Sequence, residues 1–366
     1  MTSLRSRIPR RLRTLLAPSE YERTDTEGYL DTGTYGLPPR STVAALERAI
    51  VGWRARESWR QWEQDGEACR TLFAQLVGAR AEDVALLPAL SPAVGLVAAS
   101  LPARRGDNVV LIEDDFTSTL LPWRGLEGRG IELRLRPLDG LLEAVDDRTA
   151  LIAASLVQSA NGAVVDVASL AKTGARLFLD ATQAVGAIPV DVAGVDYLAA
   201  HPYKWLCAPR GLAFLYVRRD RLDEITPWTA GWKSRAQPYE HYYGLPDVTP
   251  DARRLDVSLA WIVAAGARAS LELITKLGIE RIAKHNLTLA GLFTGELGLP
   301  GQPASPIVRL RLKDTDAALE RLSSAGVACS VRAGSIRFCF HFYNAAEDVD
   351  LALHAIPIQE VFDSGA

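Results

Sequence analysis

LFLDATQAVGAIPVDVAGVDYLAAHPYKWLCAPRGLAFLYV, residues 177–217, holds three short apolar runs separated by polar residues, glycine and proline. The first ends on Asp180, the second (195–200) comes just before Lys204, and the third (212–217) follows Pro209 and Gly211. Apolar runs of this length without alternation are the pattern of strands buried on both faces. In an open sheet of such strands, functional side chains gather at the carboxyl ends. Asp180 and Lys204, 24 residues apart, are therefore placed to converge on one crevice. The spacing alone equally allows a structural ion pair or a helix cap.

Similar runs at 84–87, 109–112 and 151–157 alternate with helix-like or polar segments, which predicts an α/β domain of parallel strands joined by crossover helices. Upstream, residues 41–78 read as two helices. Val43, Leu46, Ile50 and Trp53 fall at helical spacing after a serine cap, and Leu72, Phe73, Leu76 and Val77 precede the stop at Gly78. Downstream, a helical pattern over 259–277 leads to strands at 306–311 and 335–340 with a helix at 314–325 between them, a smaller α+β unit. The expected division is an arm with an active-site turn (1–40), a large domain (41–255) and a small C-terminal domain (256–366); 366 residues suffice for both domains.

Composition narrows the function. Lys and Arg number 41 against 44 Asp and Glu, a net charge of -3, which argues against a nucleic-acid partner. No apolar run approaches the roughly 18–20 residues of a membrane span. Cys69, Cys207, Cys329 and Cys339 never form CxxC, which disfavours a zinc ribbon or redox pair and suits a reducing cytoplasm. His201, His241, His285, His341 and His354 lack ligand spacing, so no metal site is expected. Dinucleotide, P-loop, serine-hydrolase and zincin motifs are missing. Arg5, Arg7, Arg10, Arg11 and Arg13 read as a plain N-terminal arm, with an anionic contact as the alternative.

Letter by letter, residues 177–217 resemble the class V aminotransferase family, fold type I enzymes dependent on pyridoxal phosphate that include cysteine desulfurases, kynureninase and isopenicillin N epimerase. Asp180, Gln183, Gly186, Pro189, Asp191, Lys204, Pro209 and Gly211 meet the family pattern, and the resemblance runs from about residue 30 to 350. It implies a mainly parallel large domain and a smaller α+β domain. It makes Lys204 the covalent anchor of the cofactor and the mover of protons at the substrate α-carbon. Asp180 would keep the pyridine nitrogen protonated. Gln183 would bond the phenolic oxygen, with Ser159 of LVQSANG nearby; from its position alone, Gln183 is an ordinary first-turn residue.

The phosphate calls for a helix N-terminus. LLPALSPAVGLVAASL offers Leu90 and Ser91 where the family has Gly-Thr-Thr, though Ser91 alone also reads as an N-cap. Phe116 of IEDDFTSTLLPW matches the ring-stacking position, with core burial as its plain reading. The family's Ser/Thr-x-His-Lys is His201, Pro202, Tyr203, Lys204 here, leaving His201 and Tyr203 as phosphate donors. Ser258 of LDVSLAW stands where the partner subunit completes the phosphate site, which implies a homodimer with shared active sites.

SIRFCFHFYNAAEDVD resembles the family's closing strand and makes Arg337 the fork for a substrate α-carboxylate, with Arg332 a second anion contact. The TGTYG turn contributes Thr34 and Tyr35. Trp228, Trp232, Tyr239, His241, Tyr242 and Tyr243 serve either substrate stacking or dimer packing. Where desulfurases carry a mobile cysteine loop, only Ala333 and Gly334 stand, and Cys329 and Cys339 read as buried strand thiols. The expected activity is a carbon–sulfur β-lyase on an S-substituted cysteine, similar to enzymes of ergothioneine and lincosamide assembly. Decarboxylation-coupled oxidative deamination, transamination, epimerisation and a non-catalytic scaffold are the alternatives.

Overall fold

The computed structural model describes residues 13–15, 19–240, 242–356 and 361; Arg5, Arg7, Arg10, Arg11 and His241 lie outside the described residues. The large sheet is built from β1 (Val84–Leu87), β2 (Asn108–Ile112), β3 (Glu132–Arg136), β4 (Thr149–Ser155), β5 (Arg176–Asp180), β6 (Tyr197–Ala200) and β7 (Ala213–Val217). Their spatial order is β1-β7-β6-β5-β4-β2-β3. The run from β3 to β6 is parallel, whereas β7 lies antiparallel to both β6 and β1. The expectation of parallel strands fails at β7 for a physical reason: residues 201–212 contain no crossover helix, so the chain returns antiparallel. That short return carries Lys204.

Apolar clusters cover both faces of the sheet, one around Phe73, Leu179, Trp205 and Phe214, the other around Val94, Val97, Trp123 and Phe178. Phe73 and Phe214 stack with centroids 4.1 Å apart. A second, antiparallel sheet of β8 (Ile307–Leu310), β9 (Ser330–Arg332) and β10 (Ser335–Cys339) has the order β8-β10-β9 and packs on Phe293, Leu322 and Val349.

Two local expectations are corrected. The helix Arg40–Arg54 begins after Pro39, with no serine side-chain cap, and it buries the small face Thr42, Ala45, Ala49 and Gly52. Val43, Ile50 and Trp53 point outward, exposed. Small residues let the helix Trp261–Leu277 lie close: a Cβ at Gly266 would stand 2.8 Å from Leu46 and 2.7 Å from Pro209. Ser91 is not an N-cap either. The helix Leu90–Ser100 is capped at Ala89, which places Ser91 in the first turn, exposed. Among the described residues no helix is long and apolar enough to cross a membrane.

Candidate active site

The carboxyl ends of β2, β4, β5 and β6 open onto a cleft of about 590 Å³. Gly33, Thr34, Tyr35, Phe116, Ser159, Tyr203, Lys204, Arg332 and Arg337 line it. Its inner end narrows between Leu90, Asp180, Gln183, His201 and Lys204. Asp180, the last residue of β5, is buried and held from two sides: the Thr119 hydroxyl donates to Oδ2 at 2.8 Å and the Thr182 N–H to Oδ1 at 2.9 Å. A carboxylate fixed this way holds its position for a cationic partner.

Lys204 is buried, with its Nζ 5.4 Å from the Phe116 ring centroid and 5.8 Å from that of Tyr203. Burial pulls its pKa down to about 8; Asp180 opposes the shift, while Arg337 and Arg332 reinforce it. The main chain of this loop is tied to the N-terminal turn by the Gly36 N–H, which donates to the Tyr203 carbonyl at 2.9 Å. A Cβ at Gly36 would overlap the Lys204 carbonyl oxygen, so this close approach requires glycine.

Below Lys204 the Leu90 N–H, at the start of its helix, donates to His201 Nε2 at 3.0 Å. That bond requires a neutral imidazole protonated on Nδ1. Burial lowers the His201 pKa to about 4 against the pull of Asp180, with Lys204 adding to the drop. Gln183 is committed to protein partners: its Nε2 donates to the Gly33 carbonyl (2.9 Å) and to Ser159 Oγ (3.2 Å), and its Oε1 accepts from Trp205 Nε1 (2.7 Å). The amide thus joins three segments instead of standing free for a ligand oxygen.

Arg337, only 1% exposed, donates from Nη1 to the Ser159 carbonyl (2.9 Å) and Oγ (3.2 Å). Its Nη2 reaches Asp31 Oδ1 (3.0 Å) and Thr34 Oγ1 (2.8 Å). Among the described residues its Nε has no partner. Arg332 donates to Thr34 Oγ1 at 2.9 Å and to the Val331 carbonyl at 2.8 Å. Burial lowers its pKa, with Arg337 adding to the effect.

Two expected site residues fall elsewhere: Ser91 is exposed and outside the cleft lining, and Trp232 packs in an aromatic cluster with Trp59, Tyr239 and Tyr242. Ser258, expected to serve the partner subunit's site, is exposed and outside this chain's own cleft lining. Residues the sequence reading passed over include Thr119 and Asp31. Asp115 is another, a buried carboxyl accepting from Ser155 N (2.7 Å), Ser155 Oγ (2.5 Å) and Phe116 N (2.7 Å). Burial raises its pKa against those hydrogen bonds. Asp115 follows the apolar run of β2 as Asp180 follows that of β5, a signal that could have found it.

A class V aminotransferase family model matches residues 52–302. The chain belongs to the class V aminotransferase family. This family is pyridoxal-phosphate-dependent. The uncharacterized aminotransferase YcbU of Bacillus subtilis is 30% identical over 83% of this chain and 86% of its own length. A probable cysteine desulfurase of Methanothermobacter thermautotrophicus is 27% identical over 88% and 92%. The cysteine desulfurase CsdA of Escherichia coli superposes with a TM-score of 0.79 at 20% identity, covering 92% of this chain and 96% of that one. The cystine C-S lyase C-DES does so at 0.82 and 20%, covering 90% and 97%. These likenesses establish the fold type I architecture.

The class V residues present fit pyridoxal phosphate. Asp180 is a fixed carboxylate for a pyridinium, Phe116 offers a ring face, and the start of the helix Leu90–Ser100, with His201 Nδ1–H and the Tyr203 hydroxyl beside it, offers donors for a phosphate. Lys204 supplies the buried amine.

Proposed function

We propose that this class V enzyme is a carbon–sulfur β-lyase acting on an S-substituted L-cysteine. The observation that carries the reading is the connection between β9 and β10. Arg332 pairs directly with Ser335, so the link is Ala333 and Gly334 alone, a two-residue turn with φ of 46° and 70°. No segment here can carry a nucleophilic cysteine over the cleft. The neighbouring thiols do not replace it: Cys339 is buried with its pKa raised by burial, and burial pushes Cys329 up to about 12. Sulfur capture by the protein is thereby disfavoured, while the residues for proton removal are kept.

Pyridoxal phosphate, when bound, supplies the electron sink that acidifies the substrate α-carbon. Lys204, a buried amine whose pKa burial lowers, takes the α-proton. The electron pair of that C–H bond forms the Cα=Cβ bond as the Cβ–S bond breaks, and the thiolate leaves with the sulfur electrons and takes up a proton. Water then releases pyruvate and ammonia from the three-carbon remnant. Arg337, with Arg332 beside it, holds the α-carboxylate so that the Cα–H faces Lys204. A known cystine C-S lyase shares the fold.

Mass spectrometry of products from the pyridoxal-phosphate-loaded protein with a panel of S-substituted L-cysteines tests this reading. Thiol together with pyruvate is the expected outcome. An intact thioether overturns it, and the mass change then separates transamination from loss of carbon dioxide.

A further inference from the structure

Counting charge around the cleft leaves an excess of cations. Its lining contains Lys204, Arg210, Arg332 and Arg337 and, among the described residues, no carboxylate. Two of the four have acidic partners behind the wall: Arg337 pairs with Asp31 at 3.0 Å, and Lys204 feels the charge of Asp180. Among the described residues, neither Arg210 nor Arg332 forms an ion pair. Arg332 lies beside Arg337, both bonded to Thr34 Oγ1, so the two address one anion. The buried, unpartnered Nε of Arg337 marks that place as built for an acceptor. An amino-acid α-carboxylate answers this pair and the cofactor phosphate is assigned to the helix start at Leu90, which leaves Arg210 over.

Arg210 is exposed, yet both its backbone and its guanidinium are placed. Pro209 before it has a restricted φ, and Gly211 after it takes φ +116°, so the backbone is set by a Pro-x-Gly turn. Its guanidinium carbon sits 5.3 Å from the Tyr203 ring centroid, a cation–π contact. Lys204 Nζ is 5.8 Å from that same centroid, which bounds the two charged centres to within about 11 Å of each other. A side chain of five bonds beyond the α-carbon reaches roughly 6–7 Å, and contacts of about 3 Å at its two ends cover the rest of that span. The lining also includes the uncharged Pro38, Leu46 and Ala208.

We infer that the substrate is an amino acid whose side chain ends in a second anionic group, and that Arg210 binds this group. The inference rests on the proposed reading of the cleft as an amino-acid site, and it names the class of S-substituent: an acidic one. Arg210 is a specificity residue; it does not take part in the bond changes.

The test uses the pyridoxal-phosphate-loaded protein and two probes of equal shape, S-carboxymethyl-L-cysteine and its neutral amide S-carbamoylmethyl-L-cysteine. Binding is followed by the change in the cofactor's visible absorbance. The acid should bind about five- to tenfold more tightly than the amide at low salt, and the ratio should shrink as salt is raised. Arg210→Gln should bring the ratio close to one, and Arg210→Lys should restore part of it; the visible absorbance of each loaded variant reports that the site is formed. Equal binding of both probes by the wild-type protein overturns the inference, as does an acid preference that survives in Arg210→Gln. Product analysis on the same samples separates this result from the reaction. Thiol release from both probes without any acid preference keeps the lyase and sinks the role of Arg210. An acid preference in binding with no thiol from either probe upholds Arg210 and sinks the lyase.

Discussion

Lys204 brings most of the site's chemistry to one atom. A lysine amine reacts with an aldehyde only when neutral, so the depressed pKa of about 8 sets the pH at which the protein captures its cofactor. The neutral fraction rises with pH, and the rate of covalent capture of pyridoxal phosphate should climb through about pH 8 and then level off. In Asp180→Asn the midpoint should move down, because the carboxylate that favours the ammonium form is gone. A stopped-flow pH series in visible absorbance measures both; a midpoint at the ordinary lysine value near 10.5 refutes the expectation. At this scale the sequence was informative about the residues at strand ends, since a polar residue closing an apolar run is a local pattern. It was silent about Asp31 and Thr119. Asp31 meets Arg337 across 306 positions of chain, and Thr119 meets Asp180 across 61. No local pattern announces such pairings.

Among the elements, the turn joining β9 to β10 decides the most about function and is also slightly strained. Ala333 sits at φ 46°, in the left-handed region where a Cβ is penalised and asparagine or glycine is preferred. Ala333→Asn should stabilise the protein by about 0.5–1 kcal/mol, and Ala333→Val should destabilise it by a similar amount. Urea-unfolding midpoints of the two variants against wild type decide the matter, and the reverse order would refute the turn geometry. Other elements show where pattern reading stops. β3, with the letters ELRLR, was missed because an edge strand with polar positions lacks the continuous apolar run that marked its neighbours. The helix Arg40–Arg54 was found by its apolar spacing, yet packing uses its opposite, small-residue face.

For the whole molecule, that outward stripe is an argument about assembly. Val43, Ile50, Val51 and Trp53 are all exposed on the helix Arg40–Arg54. We propose that a second copy of the chain covers it in a homodimer. Sedimentation velocity should find a dimer for the wild type and a monomer for Trp53→Glu; a wild-type monomer at micromolar concentration would remove the proposal. Three histidines with lowered pKa values should weaken the fold in acid. Burial lowers His341 to about 3 and His201 to about 4, and depresses His285 as well. His341 Nε2–H donates to the Trp205 carbonyl at 2.9 Å, holding the neutral ring in place. Unfolded histidine titrates near 6.5, so below that pH the unfolded chain binds more protons than the folded one. Their stabilising contribution is full above about pH 6.5 and is lost as pH falls toward the folded values, at up to about 1.4 kcal/mol per pH unit for each ring. Denaturant midpoints at pH 7.5, 6.5 and 5 should therefore fall, and fall less steeply in His341→Gln; a flat profile down to pH 5 contradicts the assignment.

The sequence by itself determined the α/β architecture, the placement of Asp180 and Lys204 at the carboxyl ends of buried strands, and the two-residue link at Ala333 and Gly334. Each is written in periodicity or spacing over a few residues, which local backbone and burial preferences enforce. Only the tertiary structure decided that β7 runs antiparallel, that Gln183 is tied to Gly33, Ser159 and Trp205, and that Arg337 pairs with Asp31 while Arg210 has no ion pair among the described residues. Those outcomes depend on which distant side chains the fold brings within hydrogen-bonding reach, and a one-dimensional pattern does not encode that distance.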